Sequence, residues 1–197
     1  GIATGKSTAA RFFVEAGARL VDADQLARDA VRPGSPALEE IREAFGPAVL
    51  RADGTLDREA LGARVFADEE ARRKLNAIVH PRVAEAGRAA VEALRAEDPE
   101  ALVVYDVPLL YETGVGDRFE AVVVVYAPRA EQKRRLMQRD GLAAEAAEAR
   151  IASQMDIEEK ARRADHVVRN TGSVEELREA VRRLVRTLRE EPGTDRS

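Results

Sequence analysis

The chain has 197 residues, of which 36 are acidic and 32 are basic, and its net charge is −4. An apolar content of 45% is enough for a real core and excludes disorder of the whole chain, while the absence of cysteine excludes disulfides and thiolate metal sites. Because there is no basic excess and aromatic residues make up only 4%, general nucleic-acid binding and a base-stacking platform are both disfavoured.

The chain opens on a glycine-rich segment, GIATGKST at residues 1–8, which runs directly into a helical pattern. It ends in the G-K-[ST] of a phosphate-binding loop, whose backbone N–H groups turn inward around phosphate oxygens. In that chemistry Lys6 bridges the β- and γ-phosphates and the Ser7 hydroxyl ligates Mg²⁺. The first glycine of the full motif, G-x-x-x-x-G-K-[ST], would fall one residue before Gly1. We therefore expect that this glycine and the strand before it are missing from the chain.

A chance G-K-S at a helix start is the alternative, since glycine and serine are ordinary residues at helix boundaries. The type of cation argues against it, because only four of the 32 basic residues are lysines. In a chain that uses arginine at nearly every cationic position, Lys6 indicates a site that needs a compact ammonium group.

Four short valine-rich segments predict β-strands, with helical patterns between them. The segments are 19–23, 102–108, 121–127 and 166–170. Two are nearly continuous in apolar residues, which is typical of parallel strands buried on both faces. The alternation predicts a doubly wound α/β domain with its ligand site at the carboxyl ends of the strands. The longest apolar run, 121–127, is far shorter than the roughly 20 residues that span a bilayer, so we expect a soluble, cytoplasmic protein with no membrane partner.

Three aspartates end predicted strands and are candidates for chemistry. Asp22 and Asp24 follow the first visible strand, and a phosphoryl transferase needs a carboxylate that accepts the proton of the acceptor hydroxyl. We assign this role to Asp24 and a mainly structural role to Asp22; the alternative is that one of the two only caps the helix that follows. Asp106 ends the strand at 102–108, where two roles stay open: support of Mg²⁺ through water, or a plain strand-end turn.

Residues 57–97 form a helical excursion between strands. Pro81 is expected in the first turn of a helix there, since proline is tolerated at that position. A capping box of Ser173 and Glu176 begins the last helix, which repeats apolar residues at steps of three and four. We expect residues 190–197 to be a disordered tail.

The remaining polar candidates are less specific. Three arginines lie on a helix that leads to Asp140, and three more follow in a polar helical stretch: Arg134, Arg135 and Arg139, then Arg150, Arg162 and Arg163. Most of them are expected at a solvated face, although one or two can close over the transferred phosphoryl group as a lid. His80 is either structural or a substrate contact. The segment 170–172 is either an adenine contact or a plain strand-to-helix turn.

The chain resembles the dephospho-CoA kinase family from Gly1 to about Leu188. The shared segments are GIATGKST, VDAD followed by LAR, VRPGSPAL, ADGTLDREAL, LNAIVHP, DVPLLYETG, MQRDG, RIASQ and ADHVVRNTG. Many kinases share the phosphate loop, whereas VDAD, the HP pair and DVPLLYE in this order are specific to the family.

This resemblance implies a P-loop NTPase-type kinase fold, with a parallel five-stranded sheet flanked by helices whose first strand is missing from this chain. A single domain over 1–197 would include a helical substrate-binding region at 57–97 and a lid at 139–163. The implied reaction transfers the γ-phosphoryl of ATP to the ribose 3′-hydroxyl of dephospho-CoA, with Mg²⁺. The residues concerned are Gly1, Ala3, Thr4, Gly5, Lys6, Ser7, Thr8, Asn170 and Gly172 for ATP; Ser7 and Asp106 for the metal; Asp24, Lys6 and Arg139 for catalysis; and Asp24 and His80 for dephospho-CoA.

Two other readings stay open on the residues alone. The motifs support an ATP-dependent phosphotransferase, and only the resemblance names the acceptor, so a kinase for another small alcohol or a nucleotide is the first alternative. The second is a nucleotide-binding or scaffold protein without catalysis. The carboxylate at Asp24 favours a hydroxyl acceptor, because an acceptor that is already an anion needs cations more than a base.

Overall fold

The valine-rich segments form the four β-strands of the computed structural model, which describes residues 1–190. In chain order the elements are α1 (Lys6–Glu15), β1 (Arg19–Asp22), α2 (Ala23–Ala30), α3 (Pro36–Phe45), α4 (Arg58–Ala67), α5 (Glu69–Glu97), β2 (Val103–Asp106), α6 (Leu110–Thr113), β3 (Val123–Tyr126), α7 (Arg129–Asp140), α8 (Ala144–Ala152), α9 (Ile157–Arg163), β4 (His166–Arg169) and α10 (Val174–Glu190). Short 3-10 helices lie at Pro47–Val49 and Gly116–Arg118. The predicted α/β class is confirmed.

The strands pair in twos. β1 is hydrogen-bonded to β2, and β3 to β4 in parallel, with Val123 opposite His166 and Tyr126 opposite Arg169. The backbone N–H of Asn170 extends this second ladder by donating to the carbonyl of Tyr126 at 2.7 Å. Within residues 1–190 the result is two small sheets flanked by helices rather than one continuous sheet. Across the same residues no helix is long and apolar enough to pass through a membrane.

The chain divides into two compact units. The first comprises Gly1–Leu20 and the chain from Glu100 onward, and the second comprises Val21–Pro99. In the first unit α1 and α10 cover the paired strands with a buried aliphatic and aromatic core: Ala9, Phe12, Phe13, Val125, Val168, Leu177, Val181 and Val185. Each large side chain in such a core contributes about 1.5–3 kcal/mol through burial. The packing of α10 against α1 therefore fixes the segment that begins at Lys6.

The start of α10 is the predicted capping box. The Ser173 hydroxyl accepts from the N–H of Glu176 at 3.2 Å, and the Glu176 carboxylate accepts from the N–H of Ser173 at 2.6 Å. The helix ends at Glu190. The other residues of the predicted tail, 191–197, lie outside the described residues.

The second unit is helical and has its own core. Its buried members are Val31, Ala37, Leu38, Ile41, Phe45, Val49, Leu56 and Leu61. The side chains of Asp57 and Asp68 cap α4 and α5, as the sequence pattern indicates. Each carboxylate accepts hydrogen bonds from backbone N–H groups in the first turn of its helix.

The prediction for Pro81 is wrong. It lies inside α5, a continuous helix of 29 residues, and not in a first turn. Proline lacks the N–H that would bond back one turn, and its cost in a helix interior is about 3 kcal/mol. Leu75, Ile78 and Val79, in the turns before the proline, pack against the core of the second unit. Arg82, just after it, forms an ion pair with Glu40 of α3. The guanidinium of Arg82 also donates to the carbonyl of Ile78 at 2.6 Å.

Candidate active site

The phosphate loop leads into α1 through two residues with left-handed backbone. Ala3 has φ 54° and Gly5, the residue before the helix, has φ 92°. A Cβ on Gly5 would lie 2.1 Å from Nδ2 of Asn170, so glycine is required there by space as well as by conformation. Turns of this kind direct successive N–H groups into an anion-binding concavity.

The N-terminus of α1 is open to an anion. Gly5 supplies no side-chain cap, and the first turn of the helix contains no acidic residue. The first N–H groups of a helix have no partner within the helix, and its dipole adds a partial positive charge at this end. These features, together with the loop, favour a bound phosphate group.

Lys6 and Asp106 meet at this end of α1, although they are 100 residues apart in the chain. The ammonium of Lys6 forms an ion pair with the carboxylate of Asp106, whose side chain is only 12% exposed. The position of Asp106 at the end of β2 agrees with the expectation that ligands bind at the carboxyl ends of strands. The structure thus brings together two predicted site residues.

The oxygen donors near Lys6 fit a magnesium ion. Asp106 offers a carboxylate, and Ser7 offers a hydroxyl on the exposed side of the first turn of α1. Magnesium prefers oxygen ligands, and in kinases it takes only one or two from the protein while phosphates and water supply the rest. Residues 1–190 contain no group of three or more His, Cys, Asp or Glu side chains that could hold a metal ion.

Asn170 and Arg135 support the loop from outside. The buried amide of Asn170 donates to the carbonyl of Thr4 at 2.8 Å, and Arg135 donates to the same oxygen at 3.2 Å. Arg135 also reaches the carbonyls of Ala3 at 3.4 Å and Asn170 at 3.0 Å. Asn170 is a predicted site residue, whereas Arg135 was only one member of a charged segment. No sequence signal separates it from its neighbours, since all of them follow the same helical charge pattern.

Arg139 and Gly172 lie close to residues outside the phosphate loop. The guanidinium of Arg139 donates to its neighbour Asp140 at 2.7 Å and 3.0 Å, and Arg150 donates to the same carboxylate at 3.2 Å. The hydrogen bond from Arg139 holds the pKa of Asp140 below its ordinary value. A Cβ on Gly172 would lie 2.0 Å from the carboxylate of Glu176, so the capping box accounts for glycine there. The lid role of Arg139 and the adenine role of Gly172 stay predictions.

The two residues predicted to contact the acceptor lie in the second unit. Asp24 is exposed in the first turn of α2, while the side chain of Asp22 caps that helix by accepting from the N–H of Gln25 at 3.0 Å. The capping role of Asp22 is confirmed. His80 is exposed on α5, beside Pro81.

Sequence reasoning missed a buried ion pair in the first unit. Lys160 is 3% exposed and contacts Glu112 at 2.6 Å, and the same carboxylate oxygen accepts from the N–H of Met155 at 3.0 Å. Burial raises the pKa of Glu112, but the hydrogen bonds from Lys160 and from backbone N–H groups outweigh it and leave the pKa below its ordinary value. The scarcity of lysine was the available signal, since Lys160 is one of only four.

Comparison with known proteins gives one family throughout. A family model described as dephospho-CoA kinase matches residues 1–176. The dephospho-CoA kinase of Anaeromyxobacter dehalogenans is 56% identical over 189 residues, which cover 96% of this chain and 89% of that protein. The dephospho-CoA kinase of Leifsonia xyli is 49% identical, with 96% of each chain covered.

Solved structures agree with these sequence matches. The dephospho-CoA kinase from Campylobacter jejuni superposes with a TM-score of 0.69 at 31% identity, covering 96% of this chain and 94% of that one. A crystal structure of a Thermus thermophilus protein gives a TM-score of 0.79 at 40% identity, with 98% and 95% of the two chains covered.

Proposed function

Because the chain belongs to the dephospho-CoA kinase family, we propose that it transfers the γ-phosphoryl group of ATP to the ribose 3′-hydroxyl of dephospho-CoA. The products are CoA and ADP. The structural observation that carries this proposal is the meeting of Lys6 and Asp106 beside the open N-terminus of α1, which is suited to a nucleoside triphosphate.

The loop binds and orients the donor. The N–H groups of the loop and of the first turn of α1 contact phosphate oxygens, and Lys6 leaves Asp106 to bridge the β- and γ-phosphates. The side of the loop that faces Asn170 is already occupied by hydrogen bonds, so its carbonyls are held away from the anion. Asn170 and Gly172 are proposed to lie beside the adenine.

Ser7 and Asp106 would hold Mg²⁺, which supplies neutralisation of the charge on the β- and γ-phosphate oxygens when it is bound. Their oxygen atoms are the type that this ion prefers. Charge neutralisation matters because the transferred group carries its charge on three oxygens in the transition state. Arg139 is proposed to add a positive charge from the lid, residues 139–163.

Asp24 is proposed as the general base. A carboxylate here accepts the proton of the 3′-hydroxyl as the oxygen forms its bond to the γ-phosphorus. The bond between this phosphorus and the oxygen that bridges it to the β-phosphate breaks, and the electron pair leaves with ADP. His80 and the helical region 57–97 are proposed to bind the rest of dephospho-CoA.

We also propose that the two observed strand pairs belong to one five-stranded parallel sheet of the P-loop kinase type. The parallel pairing of β3 with β4 and the covering helices α1 and α10 support this arrangement. The similarity to solved kinase structures supports it as well.

The acceptor is tested by measuring ADP release with dephospho-CoA, AMP, shikimate and gluconate at equal concentrations. We expect dephospho-CoA to be preferred, since it is the acceptor that the family name specifies. Equal rates with all four acceptors, or a preference for AMP, would contradict the proposal. Omission of ATP is the matched blank.

A further inference from the structure

Arg135 makes an unusual set of contacts for an arginine on a helix. One terminal nitrogen donates to the carbonyls of Ala3 and Thr4, at 3.4 Å and 3.2 Å, and the other donates to the carbonyl of Asn170 at 3.0 Å. Its Nε donates to the carboxylate of Glu131, one turn earlier on α7, at 2.7 Å. Every one of these partners is an acceptor in the first unit, and three of them are backbone carbonyls.

The geometry connects two segments that are far apart in sequence. Ala3 and Thr4 belong to the phosphate loop, while Asn170 directly follows β4. A planar guanidinium with a fixed fork of donors can bridge them, whereas the single ammonium of a lysine cannot match all three directions. Glu131 fixes the plane of the fork, and its own pKa is lowered to about 2, first by hydrogen bonds from Arg134 and also by those from Arg135, against the opposing effect of burial.

These contacts act on the direction of the loop peptides. When a peptide carbonyl is held outward by a donor, the N–H on the opposite edge of that planar peptide points inward. The carbonyl of Thr4 is held in this way by Arg135 and by the amide of Asn170 together. Its peptide includes the N–H of Gly5, which lies at the entrance to α1.

We propose that Arg135 is a positioning residue for triphosphate binding, which turns the phosphate-loop N–H groups toward the anion by holding the outward carbonyls of residues 3 and 4. This role of Arg135 rests on the proposed function only in that the loop binds a triphosphate. It does not depend on the identity of the acceptor. The contact is to the loop and to the end of β4, and no atom of the ligand is required for it. The alternative role for this arginine is a direct contact with the bound nucleotide.

Arg135→Lys keeps the charge and removes the fork, and Arg134→Lys is the matched control. Arg134 lies on the same helix and shares Glu131, but its hydrogen bonds are to residues of its own helix and its side chain is 54% exposed. Affinity is measured without acceptor, for inorganic triphosphate and for ATP, both with Mg²⁺. Amide hydrogen exchange over residues 2–8 is measured in the free protein.

With Arg135→Lys we expect affinity to fall about tenfold for inorganic triphosphate and for ATP alike, since charge-assisted hydrogen bonds are lost from the loop itself. Exchange in the loop rises in the free protein. Arg134→Lys changes neither quantity more than twofold. A loss confined to ATP, or unchanged loop exchange with weaker binding of both ligands, would overturn the proposal in favour of direct ligand contact.

Glu131→Gln is the second variant if Arg135→Lys does not fold, because it only removes the charge that orients the guanidinium. This variant is expected to lower the affinity for inorganic triphosphate and for ATP by the same factor and to raise amide exchange in the loop. An unchanged affinity for inorganic triphosphate would contradict the proposal. Since no acceptor is present, failure here is separate from failure to phosphorylate dephospho-CoA.

Discussion

Lys6 and Asp106 show how one contact can serve two states of a site. A lysine beside a largely buried carboxylate is held in place without a ligand, and both charges are compensated. Under the proposed function, a bound triphosphate would give the ammonium stronger anionic partners, and the freed carboxylate oxygen would become available to a cation. A lysine suits this role in a chain where 28 of the 32 basic residues are arginines, since a compact ammonium can move between partners more easily than a planar fork.

Asp24 is the residue on which the proposed chemistry depends. We expect Asp24→Asn to keep ATP binding and to lower turnover by about 10²-fold or more, since the amide cannot accept the hydroxyl proton. Asp29→Asn is the matched control, because Asp29 is an exposed carboxylate on the same helix that accepts from the Gln25 side chain. Steady-state kinetics with dephospho-CoA and a separate ATP-binding titration measure the two effects. Turnover equal to that of the control would remove Asp24 from the role of base.

The ionised carboxylate of Glu131 makes the stability of the fold depend on pH. Hydrogen bonds from Arg134 come first among the causes that lower its pKa to about 2 from an ordinary 4.5. Because the folded pKa is the lower one, the unfolded state binds the proton first as the pH falls. The stabilisation from Glu131 is therefore complete above about pH 4.5 and declines between 4.5 and about 2.

Urea denaturation of the wild type and Glu131→Gln at several pH values measures this contribution. We expect the difference in unfolding free energy to be constant from pH 7 to 5.5 and to shrink from pH 4.5 to 3. A difference that grows as the pH falls has the wrong sign and would exclude a depressed pKa.

At the scale of elements, the sequence predicts best where the determinant is local. Valine-rich segments became strands, and the Ser173 and Glu176 pair became a capping box, because β-branched packing and cap hydrogen bonds act within a few residues. The prediction for Pro81 was wrong because the contacts of α5 on either side of it are long-range: Ile78 packs on the core of the second unit, and Arg82 pairs with Glu40 of α3. Arg135 was missed for a related reason, since its partners come from 35 and 132 residues away.

The buried pair of Lys160 and Glu112 connects α9 to α6. Removing one partner leaves the other charge uncompensated, so we expect Glu112→Gln to destabilise the fold by about 3 kcal/mol. The double variant Glu112→Leu with Lys160→Met is expected to recover most of this loss, because burial of two apolar groups avoids the desolvation of two ions.

Chemical denaturation of the single and double variants measures the coupling. Glu159→Gln, which breaks exposed ion pairs with Arg162 and Arg163 on the same helix, is the control and is expected to change the unfolding free energy much less than Glu112→Gln does, because solvent screens exposed pairs. A Glu112→Gln loss no larger than that of the control would show that the pair is not a strong link between the two elements.

At the scale of the whole molecule, the proposed roles divide between the two units. The first unit contains the phosphate loop, Asp106 and Asn170, whereas the second contains Asp24 and His80. The phosphate loop and the strand-end positions of Asp22 and Asp106 could be predicted from sequence because their motifs are short and contiguous. The carbonyl contacts of Asn170 and the pairing of strands in twos could not, since both depend on long-range approach of segments.

This division predicts different protection by the two substrates. A ligand that binds only the folded state stabilises it by about 2.7 kcal/mol at 100 times its dissociation constant, and protection is greatest in the elements it contacts. We expect ATP with Mg²⁺ to slow amide exchange at residues 1–8 and 166–172, and dephospho-CoA alone to slow it at 57–97. Hydrogen-exchange mass spectrometry of the full chain with each ligand separately measures this. Protection by dephospho-CoA confined to the first unit would contradict the assignment of 57–97 to the acceptor, while leaving the nucleotide site untouched.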